Sequence, residues 1–375
     1  MHIALTGATG FLGCRLLPRL LRRGAEVTVL ARPRPRDARE RLAEAFTRMA
    51  APAPLLDALR HRVRVVEADV SLPRLGLPAR RFQELADGVD AVWHSAGDIR
   101  LNADLASLRT TNVEGTRHVL EFAAAGRRCP RLHHVSTAFV AGGLRDGVAR
   151  EREPTDTHGF ENHYERSKYE GELLVRDWCR RYGRPALVLR PSILVSDLPP
   201  GPGLPPHPLQ FLAEMARSGL EAAELAGLGL PAGAPPPVVR MPGRADGHLN
   251  LLPVEWAAEA MVLISERFPH RSPGVFHVVH PRDTPMAVLV RLFERFLPVR
   301  LDLRPDGVPD PTEAERVADF YPGFTPYLGH RRRFDDAAAR RLLAGLPPPP
   351  DVDLAYLLSG TTPVTAGPAA AALGP

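Results

Sequence analysis

Near its start the chain reads Thr6-Gly7-Ala8-Thr9-Gly10-Phe11-Leu12-Gly13, directly after the short apolar run His2–Thr6. The apolar run predicts a buried strand, and the residues after the glycines have helical periodicity. Gly7 suits a tight turn, Gly10 lets the backbone approach a pyrophosphate, and Gly13 allows the helix to pack closely on the strand. A glycine loop in this context predicts a dinucleotide site with the pyrophosphate at the helix N-terminus.

The rest of the first half alternates apolar, β-branched runs with longer segments that suit helices. Such alternation is typical of βαβ units, which build a parallel sheet. We therefore expect an α/β fold, a Rossmann-type doubly wound parallel sheet with a smaller C-terminal mixed α/β substrate lobe. The predicted strands after the first are Glu26–Ala31, Val63–Glu67, Ala91–Trp93, Leu132–Ser136 and Ala186–Leu189.

Length and composition restrict the class of protein. The chain has 375 residues, of which 44% are hydrophobic and 24% charged, so it is long enough for two lobes and typical of a globular protein. The net charge of +5 does not indicate nucleic acid, because acidic residues are interspersed and no basic stripe is interleaved with aromatics. The three cysteines lack paired spacing, so we expect no metal site. We also expect a cytoplasmic protein, since neither a leader nor a membrane-spanning run is visible.

The residues after the second strand indicate which dinucleotide binds. An acidic residue there would accept a hydrogen bond from the ribose 2′-hydroxyl of NAD, but this chain has Arg32, with Arg34 and Arg36 close behind. An arginine fork can hold a 2′-phosphate through two parallel hydrogen bonds, so we expect NADPH. Asp69 and Val70, after the third strand, are predicted to contact the adenine edge.

The texture of the sequence changes after residue 195. Residues 198–237 carry clusters of proline and glycine, which suit loops folded over a site rather than more sheet. We assign residues 1–195 to an NADP-binding Rossmann domain, which residues 248–280 rejoin. Residues 196–247 and 281–358 are assigned to the substrate lobe, and residues 359–375 to a disordered tail rich in alanine, proline and glycine.

Lysine occurs once among the 48 basic residues, and it stands four residues after a tyrosine, in Tyr164-Glu165-Arg166-Ser167-Lys168. Unlike arginine, lysine is a compact ammonium whose pKa can be tuned. Tyr164 and Lys168 share one helix face. A phenol has a pKa of about 10, which a neighbouring ammonium and the positive charge of an oxidised nicotinamide would lower. Such a phenol can donate a proton to a carbonyl oxygen that gains charge during hydride transfer.

These motifs together resemble the extended branch of the short-chain dehydrogenase/reductase family. The glycine spacing, the Tyr164/Lys168 pair and the hydroxyls of Ser136 and Thr137 at a strand end carry the resemblance, which is strongest over residues 1–195. The resemblance implies that Tyr164 is the general acid and that Lys168 also holds the ribose hydroxyls. It implies that Thr137 orients the carbonyl, with Ser136 as an open alternative, and that Asn112 seats a relay water.

The family's loop after its fourth strand matches residues 94–97, His-Ser-Ala-Gly, and residues 190–193, Arg-Pro-Ser-Ile, resemble the thioester reductases, one subgroup of the family. These matches add cofactor contacts to those inferred from the glycine loop and the arginines. The full set of expected cofactor-binding residues is Thr6, Gly7, Thr9, Gly10, Phe11, Leu12, Gly13, Arg32, Asp69, Val70, His94, Ser95, Ala96, Lys168, Pro191 and Ile193.

Further segments resemble one subgroup, the thioester reductases, which include terminal reductase domains of carboxylic acid reductases and peptide synthetases and the fatty acyl-CoA reductases. The most telling match is residues 241–254, Met-Pro-Gly-Arg-Ala-Asp-Gly-His-Leu-Asn-Leu-Leu-Pro-Val. The chain departs from the subgroup at residues 194–197, where Leu-Val-Ser-Asp replaces a stretch with glycine and arginine. The resemblance implies an NADPH-dependent reductase of an acyl thioester that yields an aldehyde, with further reduction to an alcohol left open.

Other functions stay open at this point. An extended-branch dehydrogenase could act on a ketone, an alcohol or a nucleotide sugar, although nucleotide-sugar enzymes usually retain NAD and Arg32 argues against that cofactor. A non-catalytic, dinucleotide-sensing protein would typically lack the tyrosine or the lysine. Because no adenylation or carrier segment precedes residue 1, we expect the acyl-CoA or acyl-carrier protein to arrive in trans. The acyl group and the oligomeric state are not predicted.

Overall fold

The computed structural model describes residues 1–152, 154–210, 213–214, 235–297, 299–312, 315–316 and 323–362. Within these ranges the strands are, in chain order, β1 (His2–Thr6), β2 (Glu26–Ala31), β3 (Val63–Glu67), β4 (Ala91–His94), β5 (Arg131–Val135), β6 (Asp146–Ala149), β7 (Ala186–Pro191), β8 (Ile193–Val195), β9 (Val238–Pro242), β10 (His248–Leu249), β11 (Leu251–Pro253), β12 (Gly274–Val278), β13 (Thr284–Pro285), β14 (Arg300–Arg304) and β15 (Arg331–Phe334).

The helices of the described ranges are, in the same way, α1 (Gly13–Arg22), α2 (Ala38–Arg48), α3 (Ala53–His61), α4 (Ala79–Gly88), α5 (Leu105–Arg109), α6 (Gly115–Ala125), α7 (His163–Tyr182), α8 (Val254–Arg267), α9 (Met286–Phe296), α10 (Ala337–Leu342) and α11 (Leu354–Thr361). A π-helical turn, Thr110–Glu114, joins α5 to α6. Short 3₁₀ turns occur at Pro73–Gly76, Ala138–Ala141 and Thr325–Gly329.

Seven parallel strands form the central sheet, in the spatial order β12-β7-β5-β4-β1-β2-β3. The chain enters at β1 in the middle, builds outward to β3, and then returns to the other side of β1 with β4. This order confirms the predicted Rossmann-type doubly wound sheet. The order reverses between β1 and β4, and such a reversal opens a crevice at the carboxyl ends of the strands, where ligands bind in open α/β sheets.

Apolar side chains cover both faces of the sheet. On one face α1 and α8 pack against each other over a core that includes Leu16, Leu17 and Met261, all fully buried. On the other face α4, α6 and α7 enclose a core that includes Phe82, Phe122 and Trp178. Strands buried on both sides read as continuous apolar runs, which is why the sheet was visible in the sequence.

Helix α4 is an element that the sequence analysis did not predict. It begins after Pro78 and buries Phe82, Leu85 and Ala86, a spacing of three and four residues that is typical of an amphipathic helix. Helix α1 begins at Gly13, because the glycine loop occupies the residues before it.

A second set of short strands builds the C-terminal lobe around its own apolar core. Strand β9 pairs in parallel with β14, and β10 pairs antiparallel with β13. Strand β6 pairs in parallel with β15, although β6 falls within residues 1–195, which the sequence analysis assigned to the Rossmann domain. Residues 146–149 thus pair with residues 331–334 of the lobe, a long-range partner that no local sequence pattern indicates, and the domain boundaries stay a prediction.

The predicted tail also begins later than expected. Helix α11 runs to Thr361, three residues beyond the expected boundary at 358, and both Gly360 and Thr361 are buried. A Cβ at position 360 would lie 1.7 Å from the carbonyl oxygen of Ser196, so the glycine permits a close contact rather than marking disorder. Residues 363–375 of the predicted tail lie outside the described residues. Across the described parts of the chain, every helix is too short or too polar to cross a bilayer.

Candidate active site

The glycine loop between β1 and α1 leaves no room for a Cβ atom at Gly7 or Gly13. Gly7 has a φ of +72°, and a Cβ there would lie 2.6 Å from the backbone of Ser95 and Ala96, which follow β4. A Cβ at Gly13 would lie 2.0 Å from the carbonyl oxygen of Gly7. The amide of Gly10 donates to that same oxygen at 2.9 Å. The loop therefore places backbone groups, without side chains at Gly7, Gly10 and Gly13, at the N-terminus of α1. Helix N-termini bind anions, and the pyrophosphate of a dinucleotide would fit here.

A cleft of about 1230 Å³ extends from this loop along the carboxyl edge of the sheet. The predicted cofactor residues that line it are Gly7, Thr9, Gly10, Arg32, Asp69, Val70, Ser95 and Ala96. The lining of this cleft does not include the other predicted cofactor residues, which are Thr6, Phe11, Leu12, Gly13, His94, Lys168, Pro191 and Ile193. The cleft thus collects residues from the carboxyl ends of four neighbouring strands, β1 to β4.

Four arginines line the end of the cleft that follows β2: Arg32, Arg34, Arg36 and Arg41. Sequence analysis missed Arg41, which lies in the first turns of α2. Burial lowers the pKa of Arg41, and the charges of Arg34 and Arg36 lower it further. Glu44 forms an ion pair with Arg36. A crowded cationic cluster of this kind suits a doubly charged anion such as a ribose 2′-phosphate.

The proline-rich segment closes this end of the cleft from the opposite side. Residues 203–206 line the cleft, and Arg48 of α2 donates to the carbonyl oxygen of Pro199 at 3.2 Å. A Cβ at Gly203 would lie 2.9 Å from the Cβ of Glu44. The expected loop over a site is present at residues 199–206, whereas most of its remainder, up to residue 234, lies outside the described residues.

His94 supports the loop after β4 rather than facing the cleft. Its Nδ1 hydrogen-bonds with Oγ1 of Thr6 at 2.9 Å, and its Nε2 with Oγ1 of Thr116 at 3.2 Å. Oγ1 of Thr6 also accepts a hydrogen bond from the amide of Ala96 at 3.2 Å. Burial lowers the pKa of His94 to about 3, with the charge of Lys168 contributing, so the imidazole is neutral at physiological pH.

Asn112 lies in the π-helical turn and fastens the same loop. Its Nδ2 donates to the carbonyl oxygen of Asp98 at 2.8 Å and to Oγ of Ser167 at 2.9 Å. Its Oδ1 accepts from the amide of Asp98 at 2.8 Å. The side-chain amide is therefore engaged by protein atoms on both sides, and the relay-water role stays a prediction.

At the carboxyl end of β5 the hydroxyl of Thr137 lies close enough to the hydroxyl of Tyr164 to influence its pKa. Burial raises the pKa of Tyr164 to about 12, while the nearby hydroxyl of Thr137 opposes the rise. The phenol is therefore protonated in this arrangement and available as a donor. Ser136 is also buried, but its Oγ finds no hydrogen-bond partner within the described ranges.

Lys168 is buried one turn further along α7. Its Nζ donates to the carbonyl oxygen of Val135 at 2.8 Å and would lie 3.9 Å from a Cβ at Gly97. Burial lowers the pKa of Lys168 to about 8, while Glu172 opposes the fall. The ammonium bonds to Val135 rather than to the phenol of Tyr164, so the predicted lowering of the tyrosine pKa by Lys168 stays a prediction.

Pro191 and Ile193 connect this end to the C-terminal lobe. The carbonyl oxygen of Pro191 accepts from Oγ1 of Thr137 at 3.4 Å, and the amide of Ile193 donates to the carbonyl oxygen of Asn250 at 3.3 Å. Strand β8 then pairs in parallel with β11, which lies within residues 241–254. Residues 241–254, which resemble thioester reductases, thus include a strand that pairs with the residues directly after β7 of the central sheet.

Comparison with known proteins assigns this architecture to a family. The family model described as "Male sterility protein" (NAD_binding_4) matches residues 5–261. The isonitrile lipopeptide synthase of Streptomyces coeruleorubidus is 37% identical over 193 residues, which are 50% of this chain and 13% of that protein. The isonitrile lipopeptide synthase of Mycobacterium tuberculosis is 30% identical over 308 residues, 75% of this chain and 12% of that protein. The chain therefore spans about an eighth of the length of these two relatives.

A solved structure extends the likeness over nearly the whole chain. The terminal R domain from the myxalamid PKS-NRPS biosynthetic pathway superimposes with a TM-score of 0.73 and 26% sequence identity, covering 96% of this chain and 89% of that one. The likeness therefore includes the C-terminal lobe as well as the sheet. The chain belongs to the Male sterility protein family, and it is an NAD(P)-dependent oxidoreductase of the extended short-chain dehydrogenase/reductase type, in the thioester reductase subgroup.

Proposed function

We propose that the protein uses NADPH to reduce an acyl thioester, carried by coenzyme A or by a carrier protein, to an aldehyde. The observation that carries the proposal is the proximity of the Thr137 hydroxyl to the Tyr164 hydroxyl at the carboxyl edge of the sheet, close enough to lower the pKa of the phenol. A protonated phenol and a second hydroxyl lie together there, beside the end of β5, where the carbonyl oxygen of Val135 accepts a hydrogen bond from Lys168. The two hydroxyls can bind one carbonyl oxygen as it gains negative charge.

The reaction needs a hydride, which the reduced nicotinamide supplies when it is bound. Thr137 orients the thioester carbonyl, and Tyr164 donates its proton to the carbonyl oxygen as the carbon accepts the hydride. The product of that step is a hemithioacetal. When its C–S bond breaks, the sulfur leaves as the thiol of the carrier and the carbon becomes an aldehyde. One hydride and one proton are consumed for each aldehyde and thiol released.

The arginine cluster supports NADPH over NADH. A 2′-phosphate carries up to two negative charges, and Arg32, Arg34, Arg36 and Arg41 line the cleft where that phosphate would lie. In this position NAD would present only a ribose hydroxyl to the arginine cluster, in which Glu44 already pairs with Arg36. Charge-assisted hydrogen bonds from arginine to phosphate are among the stronger polar contacts in proteins.

The relatives support a thioester as substrate. Two of them are lipopeptide synthases, and the similar solved structure is a terminal R domain of a PKS-NRPS pathway. In such systems the acyl group is held as a thioester, which favours this substrate over the ketones, alcohols and nucleotide sugars left open by the sequence. A mild excess of positive charge, +5 over the chain, is compatible with an acidic carrier.

The experiment that tests the proposal measures cofactor oxidation across substrate classes. Purified protein is mixed with NADPH or NADH and with acyl-CoAs, acyl-pantetheines, acyl-carrier proteins, aldehydes or ketones. We expect NADPH oxidation with acyl thioesters, with equal amounts of thiol and aldehyde appearing unless the aldehyde is reduced further. Oxidation with ketones or sugars and none with any thioester would reject the proposal.

A further inference from the structure

The helix that carries Tyr164 begins in a buried polar cluster that the hydride chemistry does not use. Asn162 caps α7, and its Oδ1 accepts from the amide of Glu165 at 3.0 Å. The carboxylate of Glu165, which is 0% exposed, reaches back and accepts from the amide of Glu161 at 2.9 Å. These contacts form a variant of the capping box. They hold Asn162 and Glu165, the two residues on either side of the pair His163-Tyr164.

The C-terminal lobe supplies the partner of this cap. Tyr327, in the 3₁₀ turn Thr325–Gly329, donates its hydroxyl hydrogen to Oε1 of Glu165 at 2.8 Å. The same hydroxyl oxygen accepts from Nδ2 of Asn162 at 2.8 Å. Tyr327 is 3% exposed and lies more than 160 residues along the chain from both partners. Tyr327 of the lobe therefore bonds to Asn162, two residues before Tyr164, and to Glu165, directly after it.

A second side chain of the lobe contacts the turn that follows Thr137. The guanidinium of Arg332 donates to the carbonyl oxygen of Gly142 at 2.6 Å and lies over the ring of Phe139, 4.9 Å from its centroid. The amide of Phe139 in turn donates to Oγ1 of Thr137 at 3.2 Å. Tyr327 packs edge-on against the same phenylalanine ring, with centroids 5.1 Å apart.

We propose that Glu165, Tyr327 and Arg332 form an interlobe clamp that positions Tyr164 and Thr137 for proton donation. The proposal rests on the proposed function, because it assigns a purpose to the geometry of that donor pair. The three residues are positioning residues: each bonds to the helix cap or to the turn after Thr137, and none lies among the reacting atoms. A small displacement of a catalytic group is enough to lower turnover strongly, so a clamp of this kind acts on kcat.

A double-mutant cycle on Tyr327 tests the clamp. Tyr327→Phe removes only the hydroxyl, and we expect kcat to fall about tenfold while the KM for NADPH and the melting temperature stay near those of the wild type. Tyr182→Phe is the matched control, because this tyrosine lies exposed at the far end of α7 and should leave kcat unchanged. In a Tyr164→Phe background the same Tyr327→Phe change should have no further effect on the residual rate.

The outcomes separate three possibilities. An equal loss from Tyr327→Phe in both backgrounds would mean that the hydroxyl supports the fold in general, and it would overturn the clamp, as would no loss in either background. Wild-type turnover in Tyr164→Phe alone would remove Tyr164 from the mechanism, and the clamp with it, whereas the proposed function itself is rejected only if no thioester supports cofactor oxidation.

A second variant keeps the proposal testable if Tyr327→Phe does not fold. Asn162→Ser retains an oxygen that can cap α7 but removes the amide that donates to Tyr327. We expect a loss of kcat similar to that of Tyr327→Phe and, again, no further loss in the Tyr164→Phe background. Unchanged kcat in this variant would count against the clamp.

Discussion

At the dinucleotide end of the cleft, formed by the glycine loop and the four arginines, Arg32, Arg34 and Arg36 are exposed, Arg41 is half-buried, and all four lie close together in sequence. At the donor end Thr137 and Lys168 are buried and Tyr164 is half-buried, and the helix cap and the turn beside them bond to residues far along the chain. Solvent and salt screen the exposed arginines, whereas burial changes the pKa values of Tyr164 and Lys168. Single substitutions should therefore lower enzyme activity much more at the donor end than at the dinucleotide end.

The largest effect is expected from the proton donor. Tyr164→Phe keeps the ring but removes the hydroxyl that lies close to the Thr137 hydroxyl, and we expect turnover with a thioester to fall by about 10²-fold or more, the scale of general acid catalysis. Binding of NADPH, followed by fluorescence titration, should be unchanged. Turnover equal to that of the wild type would remove Tyr164 from the mechanism and erase the contrast between the two ends.

The next effect is expected at the buried ammonium. Lys168→Arg keeps the positive charge, but a planar guanidinium must enter a slot in which a compact Nζ donates to Val135 at 2.8 Å. We expect kcat to fall about tenfold or more, measured by NADPH oxidation. Arg80→Lys, at a position 91% exposed, is the control for an exchange of the two cations and should behave as the wild type. Full activity in Lys168→Arg would show that charge alone matters at this position.

A smaller effect is expected at the dinucleotide end. Arg41→Ala removes one of four cations from the cleft, and the loss of one charge-assisted hydrogen bond of about 1.5 kcal/mol should raise the KM for NADPH about tenfold. The KM for NADH should stay the same, since NADH has no 2′-phosphate. Arg80→Ala serves as a matched surface control. Equal changes for the two cofactors would place the 2′-phosphate elsewhere.

The smallest effect concerns stability and pH. Burial raises the pKa of Glu165 from 4.5 to about 7, although the nearby charge of Arg332 lowers it and Glu161 raises it. The folded protein therefore holds this proton more tightly than the unfolded chain, so stability from this group falls as the pH rises from about 4.5 to 7.

Glu165→Gln removes that titration. Relative to the variant, the wild type should lose about 1 kcal/mol or more of unfolding free energy between pH 5 and pH 8, a range chosen to bracket the shift. Urea unfolding at several pH values measures the difference, and the other titrating groups largely cancel in it. If the difference in unfolding free energy between the wild type and Glu165→Gln did not change with pH, the raised pKa of Glu165 would be contradicted. The contrast between a buried donor end and an exposed dinucleotide end would then be weaker.

Sequence patterns were sufficient where the relevant residues are local. The glycine loop, the arginines after β2 and the spacing of Tyr164 and Lys168 each lie within one short segment, so their geometry follows from a single turn or helix. Arg41 was missed because it looked like an ordinary charge on a solvated helix. The sheet could be predicted because strands buried on both faces are continuously apolar.

Long-range partners left no such pattern. Nothing near Tyr327 distinguishes it from an ordinary aromatic residue of the lobe core, and Glu165 looks like a surface carboxylate near the start of a charged helix. Strand β6 pairs with β15 across an interval of more than 180 residues, which no local periodicity reveals. Burial of Glu165, and hence its raised pKa, becomes visible only when the lobe is placed over the start of α7.

Because Lys168 is the single lysine of the chain, the site contains its own spectroscopic reporter. Protein grown on isotopically enriched lysine would show one side-chain resonance, and that resonance would arise from the buried ammonium that donates to the carbonyl oxygen of Val135. Its chemical shift against pH would follow one titration without assignment or mutagenesis. Thus protonation at the core of this site can be followed in the intact wild-type protein during cofactor and substrate binding.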